Sequence, residues 1–164
     1  MSGNEPQPGV NEKLMLKILP LLLLACLAAC TFKAVTHDGV TAASAGKVFL
    51  KALYLDHDAN RALSIADEQL RQSATAAQLT NLATKVDEYC GGLKELRADS
   101  FAMLPGQTMQ VFFTGTCEKK TLYHRLVMFG SVQEGYRVGG VWFQDTPYPE
   151  HPLRKKLDQN IVVQ

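Results

Sequence analysis

At 164 residues, 46% of them hydrophobic, the chain is long enough for one domain with a substantial core. Its 17 Lys and Arg nearly balance 16 Asp and Glu, so a net charge of +1 gives no electrostatic case for nucleic acid as a partner. The 4 cysteines form no Cys-x-x-Cys and the 4 histidines no i, i+4 or His-x-His pair, so neither a metal nor another cofactor is expected.

The chain opens on MSGNEPQPGVNEKL, rich in Pro, Gly and Asn and carrying Glu5 and Glu12. A signal-peptide opening is short and basic instead, so Met15, followed by Leu16 and Lys17, reads as the start of translation. From Leu14 to Ala29 the sequence runs LMLKILPLLLLACLAA. The uncharged run after Lys17 has the length of a signal-peptide apolar region and falls short of the ~18–20 residues of a membrane-spanning helix.

Leu27-Ala28-Ala29-Cys30, an aliphatic residue, two small ones and a cysteine, resembles the lipobox of bacterial lipoproteins. The resemblance implies diacylglycerol on the Cys30 sulfur, cleavage before it, and acylation of the new amino group. Several acyl chains hold firmly, because each buried methylene contributes about 0.8 kcal/mol. Leu23-Leu24-Ala25-Cys26 fits less well, so Cys26 leaves with the cleaved peptide. Thr31 stands where Asp would retain enterobacterial lipoproteins in the inner membrane, which implies an outer-membrane anchor facing the periplasm.

Cys90 and Cys117 remain, and an exported domain folds where thiols oxidise, so they are expected to form a disulfide. Two free buried thiols are the alternative.

Residues 1–29 therefore read as leader and signal peptide, 30–43 as a flexible tether and 44–164 as one domain. Helical spacing is expected from Ser44, with Ala45, Val48, Ala52 and Leu55 on one face, and Phe49 and Leu53 beside it. Asp58 reads as the N-cap of a second helix with Ala59, Ala62, Leu63, Ala66 and Leu70 inside. Thr75 and Gln78 match a capping box for a third, which Gly91-Gly92 ends.

Beyond Gly92 the period falls to two. A strand is expected within 94–104, then one with Met109, Val111, Phe113, Gly115 and Cys117 on one face. Glu118-Lys119-Lys120 reads as a hairpin turn, TLYHRLVMFGSV as a long strand, and YRVGGVWF as another in which Gly139-Gly140 makes a bulge or bend. Pro147, Pro149 and Pro152 mark a loop, Arg154-Lys155-Lys156 a solvated basic cluster, and Ile161 to Val163 an edge strand or a frayed tail. Helices first and an antiparallel meander after is an α+β arrangement.

VFLKALYLDHDANRALSIADEQL, a helix broken at an acidic turn, and EGYRVGGVWF, close to a Gly-Trp-Arg-Val strand ending, resemble the nuclear transport factor 2 and ketosteroid isomerase superfamily. The resemblance implies a cone, in which helices close a curved antiparallel sheet. Enzymes of that group place a carboxylate base and a Tyr or Asp donor in the cone. Neither role maps onto a matching motif here, so no catalytic residue is assigned.

The candidate pocket residues are Tyr54, Tyr123, His124 and Trp142. Parity places His124 with Leu122, Leu126 and Met128, where a hydrogen-bonded core histidine is the usual outcome. Tyr54 and Trp142 read as packing residues, and His57, between Asp56 and Asp58, as part of a solvated turn. The expected function is a non-catalytic envelope lipoprotein, bound to the membrane through Cys30, that takes a small apolar ligand, a peptide or an envelope protein. An isomerase- or dehydratase-type enzyme is the alternative. A third reading is an assembly subunit docking through the sheet face or the loop 146–152.

Overall fold

A computed structural model describes residues 35–105 and 108–164. Cys26 and Cys30 lie outside the described residues, and with them the expected signal peptide and the expected lipidation of Cys30.

Among the described residues the first helix, α1 (Gly39–Leu50), begins before the expected start because Asp38 caps it, accepting from the Thr41 amide at 2.7 Å. The Thr41 hydroxyl donates to the same carboxylate, and that bond, with the amide's, holds the Asp38 carboxyl below its usual range. Its buried face is Gly39, Ala42, Ala43, Gly46, Phe49 and Leu50, whereas Val48 points outward. Small residues let the helix lie close on the sheet, and they carry too little hydrophobicity to stand out in the sequence. The tether reading of 30–43 therefore fails over its second half. Residues 36–38 are also tied down, since the Val132 amide donates to the Thr36 carbonyl at 3.0 Å. The Asp38 amide donates to the Tyr136 hydroxyl at 2.9 Å.

The helix continues as a π-helical turn, Lys51–Leu55, whose wider winding carries Ala52, Leu53 and Tyr54 into the core. The expected second helix is two short ones, α2 (Ala59–Ser64) and α3 (Glu68–Ser73). Asp58 caps the first as expected, and Asp67 restarts the chain by capping the second. The Asp67 amide donates to the Val138 carbonyl at 2.9 Å, which spends that donor on the sheet and splits the helix.

The last helix, α4 (Ala76–Cys90), has both bonds of the Thr75–Gln78 capping box. It stops at Gly91, whose φ of 73° is the left-handed cap that glycine adopts without strain.

Five antiparallel strands follow: β1 (Leu93–Leu104), β2 (Thr108–Cys117), β3 (Thr121–Ser131), β4 (Gly135–Gln144) and β5 (Arg154–Val163), in the order β4-β3-β2-β1-β5. The C-terminal segment is thus an edge strand, paired with β1. Bulges at Asp99 and Gly139 break the register, so the open sheet curves.

The helices cover the face that carries Leu96, Met109, Val111, Phe113, Leu122, Leu126 and Met128, and this layer is the core of an α+β fold. Cys90 at the end of α4 is disulfide-bonded to Cys117 at the end of β2, with their Cα atoms 5.2 Å apart. Closing that loop is worth about 3–4 kcal/mol in the chain-entropy picture. No helix among the described residues is long and apolar enough to cross a membrane.

Candidate functional site

The alternation that built the sheet divides the four candidate residues into two pairs. Tyr54 and His124 meet inside the core, with ring centroids 5.3 Å apart and an edge-on approach. Tyr123 and Trp142 lie on the opposite face of the sheet, Trp142 being 46% exposed. Trp142 is therefore a surface residue, contrary to the packing role expected from its sequence. No single pocket joins the four.

The core pair is apolar in all but its own atoms. His124 is fully buried between Tyr54 and Phe143, and neither ring nitrogen has a hydrogen-bond partner. The expected hydrogen-bonded core histidine is not what forms, because its neighbours on the sheet face are aliphatic and aromatic and the facing helix supplies only Tyr54. Desolvation pushes the imidazole down to about 4, so it is neutral at pH 7. The Tyr54 hydroxyl is likewise buried without a partner, and burial raises its pKa. Among the described residues the buried polar side chains are Ser100, His124 and Ser131, with no carboxylate among them. A shallow hollow of about 440 Å³ is lined by Lys85, Glu88, Tyr89 and Phe143, and neither Tyr54 nor His124 lines it. His57, in its exposed turn, adopts φ 49° and lies 3.9 Å from the Asp87 carboxylate.

The other face of the sheet carries an organised polar and aromatic surface. Phe112 alternates with threonines and a glutamine in β2, yet it is only 6% exposed and does not belong to the main core. The proline-rich loop 145–153 folds back over it, placing the Tyr148 ring 5.6 Å from the Phe112 ring. Arg154 holds the loop there. Its guanidinium lies 4.1 Å from the Phe112 ring centroid and donates to Ser100 Oγ at 2.7 Å, to the Tyr148 carbonyl at 3.1 Å and to Asp99 Oδ1 at 3.1 Å. Arg154 is thus a partly buried strut in a strand, not part of a solvated cluster. Ser100 in turn donates to Asp99.

Toward β4 the surface continues through Arg125, whose guanidinium lies 4.8 Å from the Trp142 ring centroid and 5.3 Å from that of Tyr148. Gly140 leaves the room the Trp142 ring occupies, since a side chain there would strike it. Between the 147–151 loop and β5 opens a hollow of about 610 Å³, lined in part by Ser100, Tyr148, His151, Lys155 and Lys156.

The sequence did not single out Phe112 or Arg125, offered Tyr148 only as part of the loop 146–152, and gave Arg154 only as part of a solvated basic cluster. The one available signal was Phe112 itself, a large apolar residue on the polar side of an alternating strand. No family model, no curated protein and no solved structure matches this chain.

Proposed function

We propose that this chain is an exported, non-catalytic envelope lipoprotein, anchored through lipid on Cys30 in the outer membrane and facing the periplasm, that binds a protein or peptide with the outer face of its sheet. The lipobox-like Leu27-Ala28-Ala29-Cys30 supports the anchor, and the Cys90–Cys117 disulfide fits an oxidising compartment. Helices laid over one face of a curved antiparallel sheet support the cone-like reading.

The observation that carries the binding reading is the half-exposed Trp142 ring against Arg125, whose guanidinium also lies over the Tyr148 ring. Trp, Tyr and Arg are the residue types that dominate binding energy at protein interfaces, because each combines a large contact area with a polar handle. The alternative, an isomerase- or dehydratase-type enzyme, has less support. Its carboxylate base would sit in the core, and the described core holds a neutral histidine and no buried carboxylate. A small apolar ligand inside the cone is also disfavoured, because Tyr54, His124 and Phe113 already fill that space.

The test is photo-crosslinking in a bacterial envelope, with a photoreactive phenylalanine analogue replacing Trp142 in the full chain. A second chain carries it at Asn81, on the exposed side of α4. A discrete adduct from position 142, absent from position 81 and weakened several-fold by Arg125→Ala, is expected. Adducts of equal yield from both positions would exclude the sheet face as the binding surface.

A further inference from the structure

The row of residues across the outer face has a direction and a charge. The register places Trp142, Arg125, Phe112, Ser100 and Lys156 side by side, one on each strand from β4 to β5. With strands about 4.8 Å apart, such a row spans about 19 Å. An extended chain covers that distance in about six residues, which is longer than a small anion or a single amino acid.

The two ends differ in chemistry. At β4 stands the exposed Trp142 ring. At β5 the hollow of about 610 Å³ is within the size range of sites that hold a ligand group. Its outer wall is made where β5 leaves the ladder. Lys156 pairs with Ser100 and Ile161 with Ala98, so residues 157–160 swing out opposite Asp99.

Lys155 and Lys156 line this hollow, as does Glu150. Asp99 is committed to Arg154, which spends its donors on Asp99, Ser100 and the Tyr148 carbonyl. Among the described residues no carboxylate lies within ion-pair distance of Arg125, Lys155 or Lys156. The surface therefore offers cations without internal partners at its middle and far end, and an apolar ring at its near end.

Building on the proposed sheet-face binding, we propose that the partner presents an extended acidic segment. It crosses the strands over Tyr148 and Arg154, which cover the buried Phe112 and Ser100, with one or two carboxylates in the hollow beside Lys155 and Lys156 and an apolar side chain on Trp142. Arg154 and the loop 147–151 shape the hollow and leave the lysines to meet the ligand.

Trp142 is the only tryptophan, so its emission reports this face directly. The experiment titrates the full chain in mild detergent with the capped hexapeptide Glu-Glu-Ser-Leu-Val-Leu, and separately with the same peptide bearing Lys-Lys in place of Glu-Glu. A saturable change in emission with the acidic peptide only is expected. It should weaken at least tenfold in the double variant Lys155→Glu, Lys156→Glu, at two exposed positions. Fluorescence anisotropy of a labelled peptide should show a comparable loss for Arg125→Ala.

Equal binding of both peptides, no binding of either, or indifference to the lysine reversal would overturn the proposal. So would displacement of the peptide by equimolar free glutamate or phosphate, which would reveal a small-anion site. If the peptides fail while position 142 still yields its specific crosslink, the docking face stands and the acidic segment does not.

Discussion

His124 shows how an ordinary alternation can place a polar group where nothing answers it. Both of its ring nitrogens and the Tyr54 hydroxyl are buried without partners, and a polar group left so costs on the order of 1–3 kcal/mol. Replacing the ring with one of similar size and no nitrogens removes that cost, and Phe143 and Tyr54 are suitable neighbours for it. His124→Phe should therefore stabilise the fold by about 1–3 kcal/mol in urea denaturation at pH 7. A loss of stability instead would mean that the imidazole is hydrogen-bonded within the core.

The same residue sets a pH dependence. Its folded pKa of about 4 lies below the ordinary 6.5, so between those values the unfolded chain takes up a proton that the folded chain refuses. Stability then falls as the pH drops from about 6.5 to about 4, by up to about 3 kcal/mol, and this contribution levels off below that. His124→Phe should flatten the curve across that window, which denaturation at pH 7 and pH 4.5 will show.

Arg154 decides whether the last strand and the proline-rich loop belong to the domain. It is separated from Ser100 by 54 residues, and it joins β5, β1 and the loop through three hydrogen bonds and the Phe112 ring. Arg154→Leu keeps some of the contact with Phe112 but removes the ion pair of Asp99, which keeps only its bonds from Ser100 and Thr114, and frees Tyr148. Asp99 is 38% exposed, so solvent recovers part of the loss, and the expected destabilisation is about 2 kcal/mol. Limited proteolysis should then cut within 145–153 sooner than in the unaltered chain. An unchanged cutting rate would mean that the prolines alone hold the loop.

For the whole molecule, the anchor and the folded domain are separable claims. Cys30→Ser should move the chain from the membrane fraction to the soluble fraction and abolish labelling by radioactive palmitate, with the Cys90–Cys117 bridge retained. Palmitate incorporation that survives the change would refute the assignment of Cys30.

Features that depend on a few neighbouring residues were legible from the residues alone. These are the Thr75–Gln78 capping box, the Gly91 stop, the Asp58 cap, the inward parity of His124 and the bulge at Gly139. Each is settled by a short hydrogen bond, a backbone angle or the period of a strand. The early start of α1 escaped notice because its buried stripe is glycine and alanine, which pack by smallness. The π turn escaped because it changes the winding without changing composition. That Trp142, Arg125 and Tyr148 share a surface, that β5 pairs with β1, and that Arg154 is a strut came from the folded sheet. Those contacts join residues far apart in the chain, and which strand lies beside which depends on the packing of the entire sheet.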